Sequence, residues 1–249
     1  MLKLERQNII IKTLKAKKKV LSTTLSKDLL VSEDTIRRDL KELEAKHLLH
    51  KVHGGALAIR NQTLSYNERR SIGIDKKIVI AKKAVSLIAN GQVIIMSGST
   101  TNLELAKIIP DTINATVFTY SLPIALELSH HPSIEVIFIG GKINKAAQVT
   151  TGIDVVNTVT KIRADICFMG TSGLDINNGL TESNWNVTHI KKSMIQVSDY
   201  VVAMCASNKL NVIERHSVAP INQINTIITD LKPNNVIFKE FANTDLSVL

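Results

Sequence analysis

Residues 31–56 read VSEDTIRRDLKELEAKHLLHKVHGGA, and this stretch decides how the chain is organised. Ser32 is placed to accept a hydrogen bond from an early helical N–H, and Glu33 and Asp34 then sit at the positive end of the helix dipole. Ile36, Leu40 and Leu43 recur at helical spacing and predict one buried stripe. Arg37, Arg38 and Lys41 fall off that stripe, and Ser32 and Thr35 flank the helix start. A short helix with an apolar inner face and an Arg-rich outer face suits the DNA major groove, where Arg pairs bidentately with guanine. Beyond it Leu48–Val52 reads as a strand that Gly54-Gly55 breaks. His50, Lys51 and His53 lie around that break, so a hairpin wing touching phosphate is expected. The alternative is a solvated amphipathic helix, since paired arginines are common on surfaces.

Working backwards, residues 4–17 predict a helix with Ile10 and Leu14 inward, joined by the neighbouring Ile9 and Ile11. Ser22–Leu30 predicts a second helix, with Leu25, Leu29 and Leu30 apolar. Lys15, Lys17, Lys18 and Lys19 form a basic run between them, read either as a solvated face or as a phosphate contact. Three helices and a wing make a winged helix-turn-helix over residues 1–56. His47, His50 and His53 lack a Cys or carboxylate to complete a metal site, and no metal or cofactor is expected.

Charge supports the division. Residues 1–56 hold 13 Lys and Arg against 7 Asp and Glu, so most of the chain's net +9 sits in less than a quarter of its 249 residues. That is the footprint of a nucleic-acid-binding head on a near-neutral body. No apolar run reaches membrane-spanning length, and the charged start MLKLERQ lacks a signal-peptide core, so a cytoplasmic protein without membrane contact is expected. Cys167 and Cys205 lie in apolar, β-rich runs and read as reduced core residues.

Residues 57–75 are polar and weakly periodic and read as a linker onto which Leu64, Tyr66 and Ile72 have the means to dock. From 76 to 249, short β-branched strands (93–96, 116–119, 135–139, 165–169, 200–204, 226–229) alternate with helical stretches (78–89, 102–109, 122–130, 154–161, 188–198). That alternation predicts a doubly wound, mostly parallel α/β domain. Ligands in such sheets bind beyond the carboxyl ends of strands. Ser97, Gly98, Ser99, Thr100 and Thr101 occupy such a place, with hydroxyls and helix-start N–H groups suited to phosphate. A turn of small residues there also serves packing alone, and both readings stand. Gly140, Gly141 and Lys142, then Gly170-Thr171-Ser172-Gly173, follow two further strands.

These residues resemble the DeoR family of bacterial transcription regulators. Val31-Ser32-Glu33-Asp34-Thr35-Ile36-Arg37-Arg38-Asp39-Leu40 matches its recognition helix. Lys51-Val52-His53-Gly54-Gly55-Ala56 matches its wing, with Lys51 where Arg is usual and His47 where a helix-ending Gly is common. The resemblance implies a body similar to ribose-phosphate isomerase that senses phosphorylated sugars. Ser97–Thr101 would be its phosphate loop, Gly140-Gly141 its paired glycines, Gly179-Leu180-Thr181 with Lys191 its late motif, and Ala206-Ser207-Asn208-Lys209 the end of its Asp-Ser-Ser-Lys-like segment. Met96, Tyr120, Asn144, Val187 and Cys205 stand where Asp, Asn, Arg, Glu and Asp are usual.

Three functions follow. One is a regulator, most simply a repressor of carbohydrate genes, that binds operator DNA as a homo-oligomer under control of a phosphorylated sugar. Its effector would meet Ser97–Thr101, Gly140, Gly141, Lys142, Lys191 and Lys209. The second is a DNA-binding protein whose body only oligomerises. The third is an isomerase-like enzyme, against which Met96, Val187 and Cys205 count, because proton shuttling needs a positioned carboxylate.

Overall fold

The structure is a computed structural model and describes residues 2–17, 19–45, 48–57 and 64–249. Lys18, His47 and residues 58–63 of the expected linker lie outside the described residues, as do the side chains of Lys15 and Lys17. The chain divides into two compact units, Met1–Thr63 and Leu64–Leu249.

The first unit runs α1 (Lys3–Lys17), β1 (Lys19–Leu21), α2 (Ser22–Leu29), α3 (Glu33–Ala45), β2 (His50–Val52) and β3 (Gly55–Leu57). Ile10, Leu14, Leu25, Ile36, Leu40 and Leu43 form its core, as their periodicity requires. Ile9 instead faces outward, because only one of three consecutive isoleucines can point directly into a single helix interface. Leu30 ends α2 in the left-handed conformation (φ 52°), which turns its side chain into solvent, 91% exposed. The wing strands pair antiparallel, and β3 also pairs with β1, giving the order β1-β3-β2. Gly55 has to be glycine there, since a Cβ would lie 2.0 Å from the Val20 carbonyl oxygen.

The second unit opens with α4 (Tyr66–Ser71) and α5 (Ile74–Ala84). Ser65 and Glu68 close a reciprocal capping box on α4. Tyr66 is buried against Ile80 and its neighbours, whereas Leu64 and Ile72, also read as docking residues, remain exposed. Ile72 caps α4 in an extended conformation and so leaves the helix's packed side.

The strands and helices then follow as β4 (Val93–Met96), α6 (Thr100–Ala106), β5 (Ala115–Thr119), α7 (Leu122–Leu128), β6 (Ile134–Phe138), β7 (Lys142–Asn144), β8 (Val149–Thr151), α8 (Ile153–Val159) and β9 (Ala164–Gly170). The remainder is β10 (Gly173–Asp175), β11 (Gly179–Glu182), α9 (Trp185–Gln196), β12 (Ser198–Met204), β13 (His216–Ala219), β14 (Thr226–Ile228) and β15 (Ser247–Val248). One seven-stranded sheet has the order β15-β14-β12-β9-β4-β5-β6, and every pair in it is parallel. Two apolar clusters cover its faces, one around Phe168 and Ile94, the other around Cys167 and Ile95. Successive strand residues point to opposite faces, which explains the continuous apolar runs. An antiparallel sheet β10-β11-β13 and the pair β7-β8 were not foreseen from the sequence.

From β4 the chain winds toward β6 in one direction, and β9, β12 and β14 extend in the other. The β4/β9 boundary is therefore the topological switch point, the place where a ligand crevice is expected in a sheet of this kind.

Candidate functional site

In the head, Ser32 Oγ accepts the Thr35 N–H at 3.2 Å and meets Thr35 Oγ1 at 2.9 Å, so both residues start α3 as the sequence predicts. Asp39 is buried and takes Arg6 Nε at 2.5 Å and Gln7 Nε2 at 3.2 Å, which fixes α3 against α1. With the inner side tied in this way, Arg37, Arg38 and Lys41 are left exposed. Arg37 folds back toward Asp34 (3.2 Å) and Glu33 (3.5 Å) on its own helix. Arg38 and Lys41 have no such partner among the described residues. On the wing, Lys51 and His53 are exposed, and Glu44 accepts the Lys51 N–H at 2.8 Å while lying 3.5 Å from His50. Among the described residues, no group of three or more His, Cys, Asp or Glu side chains is placed to hold a metal ion.

In the body, Ser97–Thr101 leaves β4 at the switch point. Ser97 N–H donates to the Phe168 carbonyl at 3.0 Å, and Ser97 Oγ accepts the Gly170 N–H at 2.7 Å. Asn102 Nδ2 bridges the two strands, donating to Ser97 O at 2.9 Å and Phe168 O at 2.8 Å. Ser99 caps α6 by accepting the Asn102 N–H at 2.8 Å. The N–H groups of Thr100 and Thr101 have no protein acceptor among the described residues. Gly170 must be glycine because a Cβ would lie 2.1 Å from Ser99 Cβ.

Gly98 has a packing reason for its identity. A Cβ there would come 2.2 Å from Val149 Cγ1, so a neighbouring side chain already fills the space expected for close ligand approach. Gly141 is similar, with Val155 Cγ2 at 2.7 Å, whereas Gly140 has open space around it.

Lys191 is buried and committed. Its ammonium donates to the Gly170 carbonyl at 2.7 Å and to Glu182 Oε2. Glu182 Oε1 accepts from Ser172 Oγ at 2.9 Å and the Ser183 N–H at 2.8 Å. Burial opposes this carboxylate's charge, but Lys191, Ser172 and the Ser183 amide overrule it and hold its pKa down to about 2. Glu182 was missed in the sequence because its significance depends on Lys191, nine residues away on another element.

Lys142 is exposed on β7, which pairs with β8, the strand that begins at Val149. Lys209 follows β12, where its charge and that of Asp230 act on Cys205. Asp230 accepts the Ser207 N–H at 2.6 Å and Ser207 Oγ at 2.8 Å. Burial pushes the Cys205 and Cys167 thiols up, Cys167 to about 12, in keeping with two unpaired core cysteines. Around the crevice, Asn102 Oδ1, Tyr120 OH, Ser121 Oγ and Thr171 Oγ1 are buried without a well-formed hydrogen bond. Burial raises the Tyr120 pKa, the charge of Glu182 adds to that, and the Gly98 backbone opposes it. Trp185 begins α9 beside this region, 59% exposed, in edge contact with His189 (4.5 Å between ring centroids) and His216 (5.2 Å).

Residues 6–62 match the DeoR-like helix-turn-helix domain and residues 73–231 the DeoR C terminal sensor domain. The chain belongs to the DeoR family. This DeoR-family chain is 37% identical to the HTH-type transcriptional regulator GolR of Listeria innocua, over 98% of its length and 97% of that protein's. It is 31% identical to the HTH-type transcriptional repressor GlcR of Bacillus subtilis (92% and 89% covered) and 26% identical to the glycerol-3-phosphate regulon repressor of Escherichia coli (92% and 91%). A D-ribose-5-phosphate isomerase structure aligns with 54% of the chain and 52% of its own at 17% identity and TM-score 0.39, too remote to bear on the site. The DeoR-family chain is a DNA-binding transcription regulator and not an enzyme. Its buried carboxylate at the crevice, Glu182, is locked in an ion pair and is a poor proton acceptor. Among the described residues no helix is long and apolar enough to cross a membrane.

Proposed function

We propose that this regulator represses carbohydrate-metabolism genes in the cytoplasm and is released from its operator by a phosphorylated sugar. The reading helix α3 contacts base edges through Arg38 and Lys41, with Arg37 freed from Asp34 and Glu33 on binding. Ser32 and Thr35 at its start, and Lys51 and His53 on the wing, contact phosphate. The effector lies in the switch-point crevice against Ser97–Thr101. Gly140, Gly141, Lys142 and Lys209 border the neighbouring strand ends, and Lys191 shapes the site through Glu182.

The observation that supports the effector half is the switch point between two adjacent parallel strands, where the Thr100 and Thr101 N–H groups, Asn102 Oδ1 and Ser121 Oγ have no partner among the described residues. The glycerol-3-phosphate regulon repressor named among the relatives supports a phosphorylated ligand. A second reading, in which the body serves assembly alone, draws on Val149 filling the space at Gly98 and on Lys191 being consumed internally.

Mobility shifts on the natural promoter test both halves. Arg38→Ala should weaken operator binding by about 1–3 kcal/mol while the body stays folded. A member of a sugar-phosphate panel should shift wild-type operator affinity by about 5- to 150-fold, and operator should shift its affinity equally. Unchanged binding by Arg38→Ala removes the base-reading role. A panel without effect leaves the assembly reading.

A further inference from the structure

Helix α4 is bound to the same hairpin that packs against the Ser97–Thr101 loop. The Tyr66 N–H donates to the Ala146 carbonyl at 2.7 Å, and Asn67 Oδ1 accepts from Gln148 Nε2 at 3.3 Å. Gln148 is held in the left-handed region (φ 52°), and the next residue is Val149, the side chain seated on Gly98. At the other end of α4 the buried Lys77 donates to the Arg69 and Arg70 carbonyls at 2.5 and 3.3 Å. A six-residue helix this short is not stable alone, so these attachments fix its position.

Arg69 is the residue these attachments leave unexplained. It is half-buried, its Nε donates to the Leu64 carbonyl at 3.2 Å, and its guanidinium lies 5.6 Å from the Tyr66 ring centroid. Among the described residues no carboxylate lies within ion-pairing distance of it. The carboxylate whose charge it feels most is Glu182, and that group is already filled by Lys191, Ser172 and Ser183. A partly desolvated guanidinium whose two terminal nitrogens have no partner among the described residues is suited to an anion. The buried hydroxyls of Tyr66 and Ser121 likewise lack a partner among the described residues. Of the lysines, Lys191 is already consumed by Glu182 and the Gly170 carbonyl.

We propose that Arg69 supplies the cation of the effector site, so that a phosphorylated ligand is held between the loop after β4 and helix α4. This rests on the effector reading above and adds to it the residue that binds the charge. It also gives the ligand a mechanical output. Helix α4 lies at the start of the larger unit, so a ligand gripping Arg69 acts on the part of that unit nearest in sequence to the DNA-binding unit.

The test uses the full chain with a panel of pentose, hexose and triose phosphates, the corresponding free sugars, and inorganic phosphate. Binding is followed by calorimetry in wild type, Arg69→Gln and Arg69→Lys. The expected result is that wild type binds a phosphorylated member. Arg69→Gln should lose about tenfold or more of that affinity with no change toward the free sugar, and Arg69→Lys should recover part of it. Hydrogen exchange on wild type gives a reading that needs no variant: the bound ligand should slow exchange across residues 66–71. Equal binding by Arg69→Gln, or no protection of 66–71, overturns the assignment while leaving the effector reading intact. A wild type that binds inorganic phosphate as tightly as any sugar phosphate reduces the site to a simple anion pocket and overturns it. A wild type that binds nothing in the panel overturns both.

Discussion

Glu182 and Lys191 form a buried ion pair, and such a pair is sensitive to losing one member's charge. Removing a partner from a buried pair costs far more than the pair contributes over an apolar replacement. Glu182 has its pKa lowered from 4.5 to about 2, so it favours the folded state fully above 4.5 and loses that contribution as pH falls through 2. The thermal midpoint of the body should therefore drop on acidification from about pH 5 toward pH 2. In Glu182→Gln, less stable at neutral pH, that part of the acid dependence should flatten. Calorimetric melts of both proteins across this range decide it, and parallel acid profiles would assign the dependence to other carboxylates. In the head the buried Asp39 is likewise tied to distant partners, Arg6 and Gln7, more than thirty residues away in sequence. Neither carboxylate announces itself in the sequence. Asp39 sits inside a recognisable motif but looks like one more solvated helix charge until α1 is packed against it.

At the scale of elements, local signals were readable and pairings were not. Helix α3 starts with Ser32 and buries Ile36, Leu40 and Leu43, all of which is fixed by neighbours within four residues. The six longest parallel strands announce themselves as short β-branched runs, found within a residue or two of their places. Their order does not, because strand neighbours are chosen by contacts across the whole domain, and the switch point between β4 and β9 emerges only from that order. The antiparallel strands β10, β11 and β13 are three or four residues long and carry too little periodicity to read. Gly98 shows how a motif can be seen correctly and explained incompletely: the sequence suggests room for a ligand, and the fold puts Val149 in that room. Gly98→Ala should accordingly destabilise the body by about 1–3 kcal/mol through overpacking. Val149→Ala introduced with it should restore part of the loss, although it carries a cavity cost of its own. Denaturant titrations of the two single variants and the double variant close the cycle. Additive losses would show that the 98–149 contact relaxes freely and is not what keeps position 98 small.

At the scale of the molecule, the two units have separate cores and differ in charge, with the basic excess in the smaller one. One winged helix covers few base pairs, and proteins that read DNA with such helices usually do so in pairs on repeated half-sites. A homo-oligomer assembled through the larger unit is the expected binding form. Light scattering at the concentrations at which the operator is bound should give a mass above that of one 27.4 kDa chain. A monomer under those conditions would mean that one head and its wing suffice.

The chain's single tryptophan has a practical consequence. Trp185 stands three residues beyond Glu182, with two imidazole rings against its edge, and the DNA-binding unit contains no indole at all. Excited indole loses its emission to imidazole at contact distance, so any rearrangement of residues 182–185 alters the brightness of the only strong fluorophore present. The protein thus carries its own optical probe in the larger unit, three residues from Glu182. Rearrangement around Glu182 and operator occupancy can therefore be followed separately in one cuvette, the first by intrinsic emission and the second by a dye on the DNA.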